Sequence, residues 1–417
     1  MRLKTRFTLA KTTPMETPGF SPLKGFRLGL ILLVCGHPAI CPSSLATAFV
    51  PKDDQTVLER LRSTAAPDAL TVELRSLRRE LSAEPDRLDL ALRAARLYVG
   101  KNRSESDPRY LGYAQAVLAR WWDLPQPPPP VLVMRATIRQ SRHDFEGAEN
   151  DLRQALAADR RNPQAWLTLA TIQQVRGDYQ EARKAALAVF RSADELVAVT
   201  CVALITSLNG EAAKSYALLS QAVEHNPRAD VSVRLWSITG LAEIGARMGR
   251  IQEAETHYHQ ALALGPSDTY LLGSYADFLM DQGRPQEALP LLKEHTRADN
   301  LLLRLALAES QVRPQPASLA EHIRSLRDRF EAAKLRGDFV HQREEARFSL
   351  HLLHQPLEVL RLATANWKVQ REPADVRILL EAASAARDPA AAQPVVEWLR
   401  ERHVEDVELA KLGASQQ

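Results

Sequence analysis

Small residues return at one phase along the middle of this 417-residue chain. Ala136, Ala170, Ala203, Ala242 and Ala276 stand 34, 33, 39 and 34 residues apart. Twelve residues after each comes Ala148, Ala182, Ser215, Ala254 and Ala288. Two interleaved small-residue series with a period near 34 predict stacked helix pairs rather than one compact core. In such an array each unit touches its neighbours, and function is carried on the surface.

The segment 163–194 shows how one unit is built. Trp166, Leu169 and Ala170 lie at i, i+3 and i+4, one stripe of a first helix. Gly177 closes that helix and Asp178 opens the next, a C-cap glycine followed by an N-cap aspartate. Ala182, Ala186 and Val189 mark the apolar stripe of the second helix. A turn this tight makes the two helices antiparallel. The alanines stand where the backbones approach most closely, because a larger side chain would push them apart.

With these residues the chain resembles the tetratricopeptide repeat family. The turn glycine is matched by Gly177, Gly210, Gly249 and Gly283, with His143 in the first unit. The closing proline is matched by Pro227 and Pro266, while Arg160, Asp194 and Asn300 depart from it. Tyr258 holds the aromatic site of the second helix in the fourth unit. The 39-residue step reads as about five extra residues around 228–233. The resemblance covers 129–300 in five units and implies an all-α chain, a right-handed α-α superhelix of antiparallel helix pairs. The type it implies is bacterial, secreted or periplasmic.

Flanking segments carry a weaker form of the pattern. Residues 55–128 read as degenerate helical repeats with a break at Pro85, a lengthened turn over 101–107 and a proline-rich connector at 125–130. That connector is expected to be a non-helical polyproline spacer packed near Trp121 and Trp122; the alternative is a ligand for an aromatic groove. Residues 301–410 read as further degenerate pairs: a long charged helix over 321–336, units at 339–371 and 373–405, and a capping helix at 395–402.

Charge locates a separate leader. The first 48 residues hold six bases (Arg2, Lys4, Arg6, Lys11, Lys24, Arg27) and one acid, Glu16, so the remainder is near −2 although the whole chain is +3. No nucleic-acid footprint follows from that balance. A short apolar run, 28–35, then Ala46-Thr47-Ala48, has the layout of a cleavable signal peptide with processing after Ala48. The run is too short to span a bilayer as a helix, which takes roughly 20 apolar residues. An uncleaved anchor is the alternative, and Met15 is an alternative start. Val34 and Ile40, just before the leader cysteines, are larger than lipoprotein processing sites usually accept, which disfavours that alternative. The leader implies a periplasmic or secreted chain with no transmembrane segment once processed. Only Cys201 then remains, and it reads as an inert buried thiol.

Catalytic and cofactor motifs are sought without success. The sequence has no G-x-G-x-x-G, no P-loop, no G-x-S-x-G, no H-E-x-x-H and no C-x-x-C. His257 and His259 point apart on a helix. His351 and His354 have the spacing of half a zinc or copper site, with His341 ten residues earlier. However, His354 falls where a turn is expected. The expectation is no catalytic, cofactor or metal site. A metal-binding accessory or enzyme built on His341, His351, His354 and Glu344 is the alternative, and a self-assembling solenoid is another.

In the resembled family the first helices line a concave groove that takes an extended peptide or a partner helix. Carried over by phase, the groove residues are Val133, Thr137, Leu167, Thr171, Gln174, Thr200, Leu204, Ser207, Trp236, Thr239, Glu243, Gly273 and Asp277. Leu167, Thr171, Thr200 and Leu204 stand where some members place a Lys/Asn clamp for a C-terminal carboxylate, so that partner class is not implied. The resulting expectation is a non-catalytic interaction scaffold of the bacterial cell envelope with a protein or peptide partner.

Overall fold

The computed structural model describes residues 69–105, 107–264, 268–335 and 342–414. The leader, the cleavage site, Met15 and His341 lie outside the described residues. Among the described residues there are 21 helices and no strand.

The chain opens with α1 (Ala69–Ala83), α2 (Leu88–Glu105), α3 (Arg109–Val117) and the one-turn α4 (Ala119–Trp122). Five antiparallel pairs follow: α5 (Pro129–Ser141) with α6 (Phe145–Ala158), α7 (Pro163–Val175) with α8 (Tyr179–Val189), and α9 (Glu195–Thr206) with α10 (Ala212–His225). They continue with α11 (Val231–Arg247) and α12 (Ile251–Leu262), then α13 (Thr269–Asp281) and α14 (Pro285–Leu292). Three more pairs are α15 (Asp299–Gln311) and α16 (Leu319–Leu335), α17 (Gln342–His351) and α18 (Pro356–Trp367), α19 (Pro373–Ala386) and α20 (Pro389–Glu401). A last helix, α21 (Val407–Ala414), packs on α19.

The paired small residues explain the pairing. Ala136, Ala148, Ala170, Ala182, Ala203, Ala242, Ala254, Ala276 and Ala288 are all fully buried. Ala170 and Ala182 share one apolar cluster with Ala186 and Cys201. Ser215, the one hydroxyl in the series, satisfies itself on Thr206, Oγ to Oγ1 at 2.7 Å. The apolar interior is a string of such clusters along the chain, as expected when each unit packs on its neighbours.

The turns inside the pairs repeat one hydrogen bond. Asp178 N–H donates to Gln173 C=O at 2.8 Å, Arg250 N–H to Gly245 C=O at 2.9 Å, and Arg284 N–H to Leu279 C=O at 2.9 Å. This closure spans six residues and requires a left-handed residue just before the donor. Gly177 (φ 77°) supplies it, and His143 (φ 59°) supplies it in the first unit without being glycine. The Asp178 side chain makes no cap bond, whereas Asn162 caps α7 by accepting from Ala165 N–H at 2.9 Å.

Four expectations need correction. The stretch 101–107 is not a long turn, because α2 runs to Glu105. The connector is not wholly non-helical: Pro129 and Pro130 form the first turn of α5, where their missing N–H groups cost nothing. The extra residues near 228–233 do not make a longer loop; Asp230 caps α11, which is 17 residues long against 13 in α7 and α13. Residues 395–402 lie at the end of α20, the second helix of a pair, and α21 is the terminal element.

First helices of successive pairs pack on one another more closely than second helices do. The curvature therefore puts first helices on the inside. The array also folds back on itself. Arg371 N–H donates to Val175 C=O at 2.7 Å. Trp398 from α20 packs at a tilt on Tyr179 with ring centroids 5.8 Å apart. Glu405 accepts from Ala212 N–H at 2.7 Å, capping α10 from 193 residues away. The last pair and α21 thus sit on the turns after α7, α9 and α11, and Tyr179 and Leu208 join the C-terminal apolar cluster.

Candidate functional site

The inner surface is built from four rows, one residue of each row per first helix. Three before the small residue stand Val133, Leu167, Thr200, Thr239 and Gly273. In this row Val133, Thr200 and Thr239 are buried and Leu167 is half-buried. Neighbouring inner helices close over them. Thr200 Oγ1 lies 2.7 Å from Ser237 Oγ across α9 and α11, and a Cβ on Gly240 would meet Leu204 Cδ2 at 2.7 Å. A Cβ on Gly273 would lie 3.2 Å from the Arg304 guanidinium.

One after the small residue stand Thr137, Thr171, Leu204, Glu243 and Asp277. Thr137 is buried and bonds to Val133 C=O at 3.0 Å. Thr171 is exposed, and Leu204, Glu243 and Asp277 are half-buried. Four after it, Gln174 is half-buried, while Ser207 is buried and accepts from Arg247 Nη2 at 2.9 Å. A partner therefore finds Val133, Thr137, Thr200, Ser207 and Thr239 already occupied by the fold. Leu167, Thr171, Gln174, Leu204, Trp236, Glu243 and Asp277 keep accessible surface.

Six before the small residue stand Pro130, Gln164, Val197, Trp236 and Tyr270. Trp236 is 36% exposed and Tyr270 is 63% exposed. Glu243 and Glu372 lie near the Tyr270 hydroxyl. Trp236 is among the expected groove residues and Tyr270 is not. The signal was present: both stand six residues before the repeat alanine.

Charged groups fill the C-terminal side of this inner surface. Asp277 takes Arg304 Nη2 on one oxygen and Arg347 Nη2 on the other, each at 2.7 Å. Burial opposes its ionisation, but the two guanidinium groups outweigh it and hold the carboxyl well below the usual carboxylate range. Arg377 Nη1 reaches Asp281 at 2.8 Å, and its Nε reaches Glu381 at 2.8 Å. Arg343 bridges Glu372 at 2.9 Å and Asp375 at 3.3 Å. These pairs tie α13 to α15, α17 and α19. The spacing of arginines outside the regular repeats gave no signal for them.

His351 Nε2 lies 3.0 Å from Glu381 Oε2, and His354 (φ 55°) forms the turn before α18. Among the described residues no three His, Cys, Asp or Glu side chains form a metal-binding group. Cys201 is buried, and burial pushes its thiol up to about 12. Among the described residues no helix is long and apolar enough to cross a membrane.

The class of protein these features define is an all-α repeat solenoid with a curved inner face of first helices. A family model described as tetratricopeptide repeat matches residues 141–195 and 245–312, so those stretches are similar to that family. No curated protein matches the chain. Among solved structures, the chain is similar to a Rap protein complexed with competence and sporulation factor, at 13% identity and TM-score 0.45, over 84% of this chain and 100% of that one. It is also similar to yeast Tom70, at 12% identity and TM-score 0.37, over 83% of this chain and 85% of that one.

Proposed function

We propose that this chain is a non-catalytic scaffold that binds a protein or peptide partner on its inner face, in the bacterial cell envelope. One observation carries the reading. Two large aromatics, Trp236 and Tyr270, occupy the same place in successive repeats and stay accessible, while Val133, Thr137, Thr200, Ser207 and Thr239 on the same inner surface are buried. Aromatics of this kind dominate interface energy when a partner covers them. Repeat solenoids use such inner faces for binding because their helices leave an extended curved surface open. The envelope assignment rests on the leader, with its basic segment, short apolar run and Ala46-Thr47-Ala48.

The test is a photo-reactive amino acid at Trp236 in the full chain, with the same group at exposed Leu218 on α10 as reference. Irradiation in cells should give a discrete adduct from position 236, in the envelope fraction, and none from 218. Adducts from 218 alone would move binding to the outer face. Adducts confined to the cytoplasm would remove the envelope assignment.

A further inference from the structure

Glu243 and Asp277 occupy the same repeat position, one residue after Ala242 and Ala276. Their surroundings differ in one respect. Asp277 has an arginine on each oxygen, Arg304 and Arg347. Glu243 meets only hydroxyls: Ser274 Oγ donates to its Oε1 at 2.9 Å, and the Tyr270 hydroxyl lies beside it. Ser274 is in turn held by Tyr258 Oη at 2.8 Å. Among the described residues Glu243 has no lysine or arginine in ion-pair contact, although every other inner acid named above has one. A half-buried carboxylate met only by neutral hydroxyls can still take a cation, since charge-assisted bonds are about twice as strong as neutral ones. Toward the helix N-termini from it stand the two exposed aromatics, Trp236 two turns earlier on the same face of α11 and Tyr270 on α13. Ring faces attract guanidinium and ammonium groups. The fold already uses that contact, with Arg250 over Tyr216 at 5.1 Å and Arg371 over Trp367 at 5.1 Å.

The geometry points to a receptor for one basic side chain of an extended partner peptide, with Glu243 taking the charge and Trp236 and Tyr270 flanking its stem. The proposal rests on the inner-face reading above and supplies its chemistry. The partner's arginine or lysine does at Glu243 what Arg304 and Arg347 do at Asp277. A neutral or acidic segment would leave the carboxylate unpaired or repelled, and so is selected against.

A library of random dodecapeptides displayed on phage, panned on the full chain, tests this. Enriched peptides should carry a lysine or arginine next to an apolar residue. In synthetic copies, replacing that basic residue with glutamine should weaken binding about tenfold or more, the range of one charge-assisted contact. Glu243→Gln should cause a similar loss, and the two changes together should cost little more than either alone. The peptide-side replacement needs no folded variant, and circular dichroism checks Glu243→Gln. Peptides that lose affinity on Trp236→Ala or Tyr270→Ala, yet bind equally with glutamine in place of the basic residue, would sink this inference and leave the inner-face reading standing. Peptides indifferent to both aromatic variants, or no enrichment at all, would overturn the two together.

Discussion

At the scale of single residues, the turn glycines carry two separate loads, and the structure lets them be separated. Gly177 and Gly283 share the left-handed conformation, with φ 77° and 68°. A Cβ at 177 would stand 2.8 Å from Trp398 and 3.2 Å from Arg371 Cβ, whereas at 283 it meets nothing within 4 Å. Gly283→Ala should therefore lose only the backbone preference, about 1 kcal/mol. Gly177→Ala should lose that and the cost of displacing a docked tryptophan, about 2–4 kcal/mol together. Urea unfolding of the two variants checks the difference; equal losses would show that Trp398 yields without cost. The turn position itself was legible from spacing. That one glycine also receives a helix from the far end of the chain was not, because Trp398 lies 221 residues away with no periodic relation to it.

Among elements, α19 joins an apolar face, Val376, Ile378, Leu379, Leu380, Ala382 and Ala383, to a set of ion pairs. Glu381 sits between His351 on α17 and Arg377 on its own helix. Burial opposes its ionisation, but the His351 hydrogen bond and Arg377 outweigh it, and its carboxyl is held at about 2 against an ordinary 4.5. A depressed carboxyl stabilises the fold fully above the unfolded value and ceases to do so as pH falls from about 4.5 towards 2. Asp277 is shifted in the same direction. Stability should therefore fall with acid in that window. Glu381→Gln should be less stable than the parent at pH 7, and the gap should narrow steadily below about pH 4.5. Unfolding midpoints measured from pH 7 to 3 read this directly; a constant gap would mean that Glu381 is not the group responsible.

Over the whole molecule, the fold-back separates this chain from a plain array in which each unit feels only its neighbours. Arg371 on Val175, Trp398 on Tyr179 and Glu405 on Ala212 join units far apart in sequence. Removing residues 373–414 should therefore loosen the turns near 175–179 and 208–212, with faster amide exchange there. Exchange unchanged at those turns, with loss confined to α17 and α18, would show the contact to be energetically idle.

The repeat pitch, the helix pairing, the left-handed turns and the side on which Trp236 lies are all set by contacts within about forty residues. Such contacts leave a period in the sequence, and the alanine series shows it. The docking of α19 to α21, Arg347 on Asp277 and Glu372 near Tyr270 have no such period. They depend on how small rotations between successive pairs add up along the array, bringing distant side chains together. Asp277 and Glu243 look alike in sequence for that reason, and only the assembled superhelix makes one a structural ion pair and leaves the other open.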